Sequence, residues 1–281
     1  MKLLRYGPPG AEKPAMLDRD GTIRCLSSVV RDIDGFALSD AALKMIAALD
    51  PNTLPKVDAG VRLGSCVARP VNYICIGLNY ADHAAEAGMP VPKEPIIFLK
   101  SLGALCGPND DVKMPRGSKK LDWEVELGIV IGKKASYVPE HDSLNYVAGY
   151  CVCNDVSERE YQLERAGTWD KGKGCDTFGP TGPWVVTKDE VPDPQNLALS
   201  TEVNGKRFQN GTTKTMIFGV VKLVSYVGHF ITLYPGDVIA TGTPPGVGQG
   251  VKPEPVFLRP GDTMKLSVAG LGVQTQRVVE A

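Results

Sequence analysis

Glycine and proline punctuate this chain so often that few of its segments can be anything but short strands. Thirty-one glycines and 22 prolines are spread over 281 residues, and both residues interrupt regular elements. Between them lie brief apolar runs: "MKLLRYG", "PAMLDRDGTIRCL", "GVRLGSCV", "NYICIG", "PIIFLKS", "WEVELGIVIG", "VAGYCVCND", "PWVVT", "LALSTEVNGKRF", "DVIATG", "TMKLSVAG" and "VQTQRVVE". Each reads as a strand. Asp20-Gly21 and Asn204-Gly205 are hairpin-turn pairs.

Helical signals are few. "SDAALKMIAAL" has Ser39 as its N-cap, and "YADHAAEAG" has Gly88 as its stop. "SEREYQLERA" is a third helix, and "GVVKLVSYVGHFITL" is the one longer helix. There is no series of βαβ units and no internal repeat. The pattern predicts an α+β chain whose main body is a mainly-β roll or barrel. It also predicts two domains, a small N-terminal one over residues 1–68 and a main one over 69–281, with "ARPVNY" as the passage between them.

Charge excludes some functions. Thirty-one basic residues face 32 acidic ones, net −1, without the basic excess of a nucleic-acid-binding chain. No run approaches the ~18 apolar residues of a membrane span. The start "MKLLRYGPPG" has no apolar core of a signal peptide, so a cytoplasmic protein is expected. Seven scattered cysteines, with no C-x-x-C pair, read as free thiols. Cys151 and Cys153 share one face of a strand.

The chemistry begins in "LDWEVELGIVIGKK", residues 121–134. Glu124 and Glu126 lie two apart on a strand, so both carboxylates point the same way. Such a pair either faces solvent or takes a cation between its oxygens, and Mg²⁺ or Mn²⁺ suits oxygen ligands. Asp155 ends the apolar run "YCVCND" and is either a third ligand or the N-cap of the helix that follows. His83 and Glu86 are three apart on a helix and share a face. A carboxylate beside an imidazole makes it a better base; the alternative is a surface hydrogen bond. His229 ends an apolar helix and reads as structural, and His141 is a loop residue. Lys171 and Lys173 stand among glycines in "WDKGKGCDTFGP", able to meet an anion or simply solvated. "ATGTPPGVGQG" offers hydroxyls and N–H groups but is not a nucleotide phosphate loop.

Taken in order, "GLNYADHAAE", "WEVELGIVIGK", "GYCVCNDVSEREYQ", "KGKGCDTFGPTGPW" and "LYPGDVIATGTPPGVG" resemble the fumarylacetoacetate hydrolase family over about residues 70–281. The resemblance implies a β-roll catalytic domain, usually dimeric, that binds Mg²⁺ or Mn²⁺. It implies Glu124, Glu126 and Asp155 as metal ligands, a water-activating pair His83 and Glu86 under a closing lid, and Lys173 rather than Lys171 as catalytic lysine. It implies substrate contacts at Arg159, Gln162 and Thr243, with Tyr80 lining the pocket. Many relatives read Gly-Arg-Asn where this chain has Gly77-Leu78-Asn79, so the contact to the substrate tail differs.

The expected reaction is hydrolysis of the C3–C4 bond of a 2,4-dioxo acid to pyruvate and a carboxylic acid. The closest look is to the subgroup acting on 2,4-diketo-3-deoxy sugar acids, often labelled ureidoglycolate lyase. Decarboxylases and isomerases of the same family are the alternatives. A metal-dependent 2-oxo acid binding protein is the non-enzyme alternative, and it would have no need of His83 and Glu86. The expected partner is a small 2-oxo acid, with no nucleic acid or membrane, in a homodimer.

Overall fold

The computed structural model describes residues 1–86 and 88–281. The strands among these residues are β1 (Lys2–Tyr6), β2 (Lys13–Leu17), β3 (Ile23–Cys25), β4 (Tyr73–Gly77), β5 (Ile96–Leu99), β6 (Leu105–Cys106), β7 (Val112–Met114), β8 (Leu121–Asp122), β9 (Val125–Ile131), β10 (Val147–Asn154), β11 (Ser157–Glu158), β12 (Gly179–Thr187), β13 (Ala198–Val203), β14 (Lys206–Thr212), β15 (Val238–Ala240), β16 (Thr263–Val268) and β17 (Gly272–Glu280). The α-helices are α1 (Asp40–Ala47), α2 (Ala81–Glu86), α3 (Arg159–Leu163), α4 (Asp170–Lys173) and α5 (Val220–Phe230). Strands dominate and helices are short, as the punctuation requires. No helix among the described residues is long and apolar enough to cross a membrane.

A ten-stranded sheet runs in the order β3-β2-β1-β12-β10-β9-β15-β4-β5, with β6 paired onto β12. A five-stranded sheet runs β14-β13-β16-β17-β7. The central strand β9 is buried along its whole length, so its apolar run needs no polar alternation. Ile129 and Ile131 pack with Leu199, Leu266 and Val268 of the second sheet and with Leu223, Val224 and Val227 of α5. Val130 packs on the opposite face with Cys151 and Cys153, and with Leu3, Ile33 and Ile46 from the first part of the chain. Glu126 shares the face of Val130 by the strand period of two.

The hairpins at Asp20-Gly21 and Asn204-Gly205 join β2 to β3 and β13 to β14. Asn204 and Gly205 have φ of 50° and 78°, which suits the tight turn. "GVRLGSCV" is not a strand; it makes one isolated bridge, Leu63 with Tyr6. The N-terminal strands extend the large sheet, since Lys2 pairs with Val186 and Leu3 with Val185.

Asn79 ties the site's helix to this frame. It is fully buried. Its amide donates to the carbonyls of Phe218 and Thr241 at 3.0 and 2.8 Å, and its oxygen accepts from Phe218 N–H at 2.9 Å. The start of α2 is thereby pinned to the end of β15. Asn79→Ala leaves three backbone groups short of a partner, the buried carbonyl of Thr241 and the half-buried N–H and carbonyl of Phe218. Unpaired groups of this kind cost about 1–3 kcal/mol each, and we expect a loss in that range or above by urea unfolding. A loss under about 0.5 kcal/mol, the size of an ordinary surface change, would contradict this role.

Candidate functional site

Strand register builds the cluster of carboxylates. β9 and β10 are antiparallel and set Cys153 opposite Glu126 and Asn154 opposite Val125. One step further, Asp155 N–H donates to Glu124 O at 2.9 Å. Carboxylate oxygens of Glu124, Glu126 and Asp155 then lie within 4.8 Å of one another. All three residues are buried, at 6%, 1% and 1% exposure. Buried like charges need cations close by.

Three cations are present, unevenly placed. Lys173 Nζ lies 2.7 Å from Glu124 Oε2 and 2.8 Å from Asp155 Oδ2. Arg159 Nη2 pairs with Glu124 Oε1 at 2.7 Å, and its Nε with Asp122 Oδ2 at 2.8 Å. Lys100 Nζ stands 2.5 Å from Asp155 Oδ1, but that oxygen has no partner in hydrogen-bond alignment. Glu126 has no cation among the described residues; its Oε2 accepts only Gly242 N–H, at 2.8 Å. Burial raises its carboxyl well above the usual range, and the charges of Asp155 and Glu124 push it further. Burial would raise Glu124 too, but Lys173 and Arg159 outweigh it and hold that carboxyl below the usual range. The charges left over and the all-oxygen donor set fit a hard divalent cation bound by Glu124, Glu126 and Asp155.

The imidazole faces this cluster from α2. His83 Nδ1 lies 3.0 Å from Glu86 Oε2. That bond favours the proton on Nδ1 and leaves Nε2 as the accepting nitrogen. Glu86 is fixed in turn by Gly246 N–H, at 3.0 and 3.2 Å from its two oxygens. Only glycine serves at 246: φ is +100°, and a Cβ would stand 2.0 Å from Phe208 O.

One cavity of about 300 Å³ joins the parts. It is lined by His83, Glu86, Glu124, Glu126, Asp155, Arg159, Gln162, Lys173 and Thr243. Nine of the ten residues expected from the sequence therefore meet there. Tyr80 is the exception. It is fully buried with its hydroxyl unpartnered, and it is not among the lining residues. Leu78, where the backbone takes φ +51°, lines the cavity instead. Lys171 points outward to the carbonyls of Arg165 and Ala166. The helix after Asp155 is capped by Glu158, which accepts Tyr161 N–H at 2.7 Å; Asp155 belongs to the cluster. His229 stacks edge-on with Tyr137 and Phe230.

Sequence reasoning missed Lys100, Asp122, Phe98 and Trp169. Lys100 is 3% exposed at the end of the apolar run "PIIFLKS", and a lysine closing an apolar run was the available signal. Asp122 precedes Glu124 by two, so the carboxylate spacing continues backwards. Phe98 and Trp169 pack edge to face at 5.3 Å and had no local signal.

Known proteins share this frame. The model of the fumarylacetoacetate (FAA) hydrolase C-terminal family matches residues 72–279. A protein of Burkholderia cenocepacia (strain HI2424), named only as a hydrolase, is 62% identical over 281 residues, covering all of both chains. The fumarylacetoacetate hydrolase of psychrophilic Exiguobacterium antarcticum is 34% identical with TM-score 0.86, covering 100% of both chains. The maleylpyruvate hydrolase of Sphingobium sp. SYK-6, solved with manganese(II) and pyruvate, is 27% identical with TM-score 0.83, again over 100% of both chains. This chain belongs to the fumarylacetoacetate hydrolase family.

Lys100 carries a test of the cluster. Its Nζ also donates to the carbonyls of Val156 and Lys173, at 3.1 and 2.6 Å. Lys100→Met removes one of the two cations on Asp155. Breaking a buried pair costs about 3–5 kcal/mol, and the urea midpoint is expected to fall by that equivalent with an unchanged slope. A change below about 1 kcal/mol, the worth of an exposed pair, would show that Lys173 alone suffices for Asp155.

Proposed function

We propose that this chain is a Mg²⁺- or Mn²⁺-dependent hydrolase that cleaves the C3–C4 bond of a 2,4-dioxo acid, giving pyruvate and a carboxylic acid. The supporting observation is that a carboxylate-oriented imidazole and a carboxylate cluster with one member lacking a cation among the described residues share one cavity. A protein that only bound a 2-oxo acid would have no use for the His83–Glu86 pair. When bound, the cation would act as a Lewis acid toward the carboxylate and 2-oxo group of the substrate and favour the pyruvate enolate as leaving group.

The side chains do the rest. His83 Nε2 takes a proton from water, while Glu86 holds the ring and offsets the imidazolium charge. The water oxygen attacks C4. Lys173 has three N–H donors; two are engaged by Glu124 and Asp155, and the third is available to the oxygen that becomes negative at C4. The C3–C4 bond then breaks, its electron pair goes to C3, and the proton held by His83 returns there. Arg159, Gln162 and Thr243 position the acid end.

The tail wall is neutral. Leu78, Met89, Phe98, Leu163, Trp169 and Val247 line the cavity, and Lys252 is an exposed cation of its lining. A neutral tail, as in a sugar-derived 2,4-diketo-3-deoxy acid, suits these walls better than a second carboxylate, which would lose hydration without a buried partner.

Three results are expected. EDTA abolishes turnover and Mg²⁺ or Mn²⁺ restores it. By calorimetry Glu126→Ala no longer binds the cation, whereas His83→Ala binds it like the parent and is slower by about 10²–10⁴-fold. Loss of cation binding in His83→Ala would contradict the division of roles. In a panel followed by enol absorbance, a diketo-deoxy sugar acid should be cleaved in preference to fumarylpyruvate. Preference for the anionic tail would refute the tail argument, and decarboxylation of oxaloacetate with no acylpyruvate cleaved would refute the hydrolase.

A further inference from the structure

Asp122 is a buried carboxylate that the reaction above does not use. It has no exposed surface and does not line the cavity, so it touches no substrate. All its acceptor capacity is nonetheless engaged. Oδ1 accepts Trp123 N–H at 2.8 Å and Gly248 N–H at 2.6 Å; Oδ2 accepts Arg159 Nε at 2.8 Å and Gln249 N–H at 3.0 Å.

These partners belong to the two halves of the site. Arg159 continues from Asp122 to Glu124 Oε1 at 2.7 Å and to Gln162 Oε1 at 3.0 Å. Gly248 and Gln249 sit in the loop whose Gly246 N–H holds Glu86. Trp123, next to Asp122, grips the same loop by donating from Nε1 to Gly246 O at 3.1 Å. The loop has no slack. A Cβ at Gly248 would stand 2.7 Å from Asp122 Oδ1 and 2.0 Å from Val256 O, and one at Gly250 would stand 2.7 Å from the Glu86 carboxyl carbon.

We propose that Asp122 is a positioning residue that couples the carboxylate cluster to the His83–Glu86 pair. With one oxygen it aims Arg159 at Glu124, and with both it sets the 246–249 loop against Glu86. The carboxylate form is required. Each oxygen accepts two N–H groups, so the amide of asparagine must turn a donor toward donors whichever way it is placed.

This role rests on the proposed reaction, and its test keeps the two separable. The kinetics of Asp122→Asn are measured with the fastest acylpyruvate, in the parent and in Glu86→Gln. Hydrogen exchange of the peptide spanning 242–252 is measured by mass spectrometry in the same proteins. In the parent, Asp122→Asn should lower kcat by about 10–100-fold, the scale of a 1 Å misplacement, with KM hardly moved. In the Glu86→Gln background the further loss should shrink below about threefold, because groups that act in one network are not additive. The loop peptide should exchange faster in Asp122→Asn. Equal losses in both backgrounds, or unchanged exchange, would overturn the proposal and leave Asp122 a part of the fold only. If Asp122→Asn does not fold, Gly248→Ala disturbs the same contact from the loop side and is held to the same outcomes. If the parent cleaves no acylpyruvate, the reaction is wrong, and loop exchange alone decides for or against the coupling.

Discussion

Lys173 lies between two carboxylates and leaves the third without a cation, and the site follows from that imbalance. Its ammonium is 2.7 Å from Glu124 and 2.8 Å from Asp155, while Glu126 accepts a single backbone N–H. In a dry interior an unpaired carboxylate costs several kcal/mol or takes up a proton. A divalent cation would remove that penalty and bring Lewis acidity to the cavity. The same lysine engages two of its three N–H donors there, so in the proposed reaction a single side chain would serve both the resting cluster and the oxyanion.

The fold holds these charges by backbone means. Glu126 lies in β9, and Glu124 and Asp155 flank the paired ends of β9 and β10, so the separation of the carboxylates is a matter of register. The end of β15 supplies Gly242 N–H to Glu126. The imidazole comes from elsewhere, on the six-residue helix α2, which is too short to be stable alone. Asn79 fixes its start and the Gly246 N–H fixes Glu86 near its end. A short helix pinned at both ends holds the imidazole of His83 against the carboxylate cluster, as the proposed base requires.

Much of this was legible in residue order. Alternation along "WEVELGIVIG" put Glu124 and Glu126 on one side, and helical spacing paired His83 with Glu86. Both are local properties. Asp155 was open between cap and ligand because the choice depends on what lies across the sheet, and Lys100 and Lys173 occupy both of its oxygens. Lys171 and Lys173 could be told apart only by family resemblance; two residues on one short helix turn to opposite environments. Tyr80 is buried away from the cavity while Leu78 lines it, because closeness in sequence to α2 does not fix which side chain faces the cavity. The pairing of β1 with β12 joins residues almost the whole chain apart, and no local pattern announces it.

The cation is the hinge of the account, and its position can be seen directly. Crystals grown with Mn²⁺ and measured near the manganese absorption edge should show one strong anomalous peak, bonded by oxygens of Glu124, Glu126 and Asp155 and not by His83. A peak that includes His83 as ligand, or no peak at the cluster at saturating Mn²⁺, would contradict it.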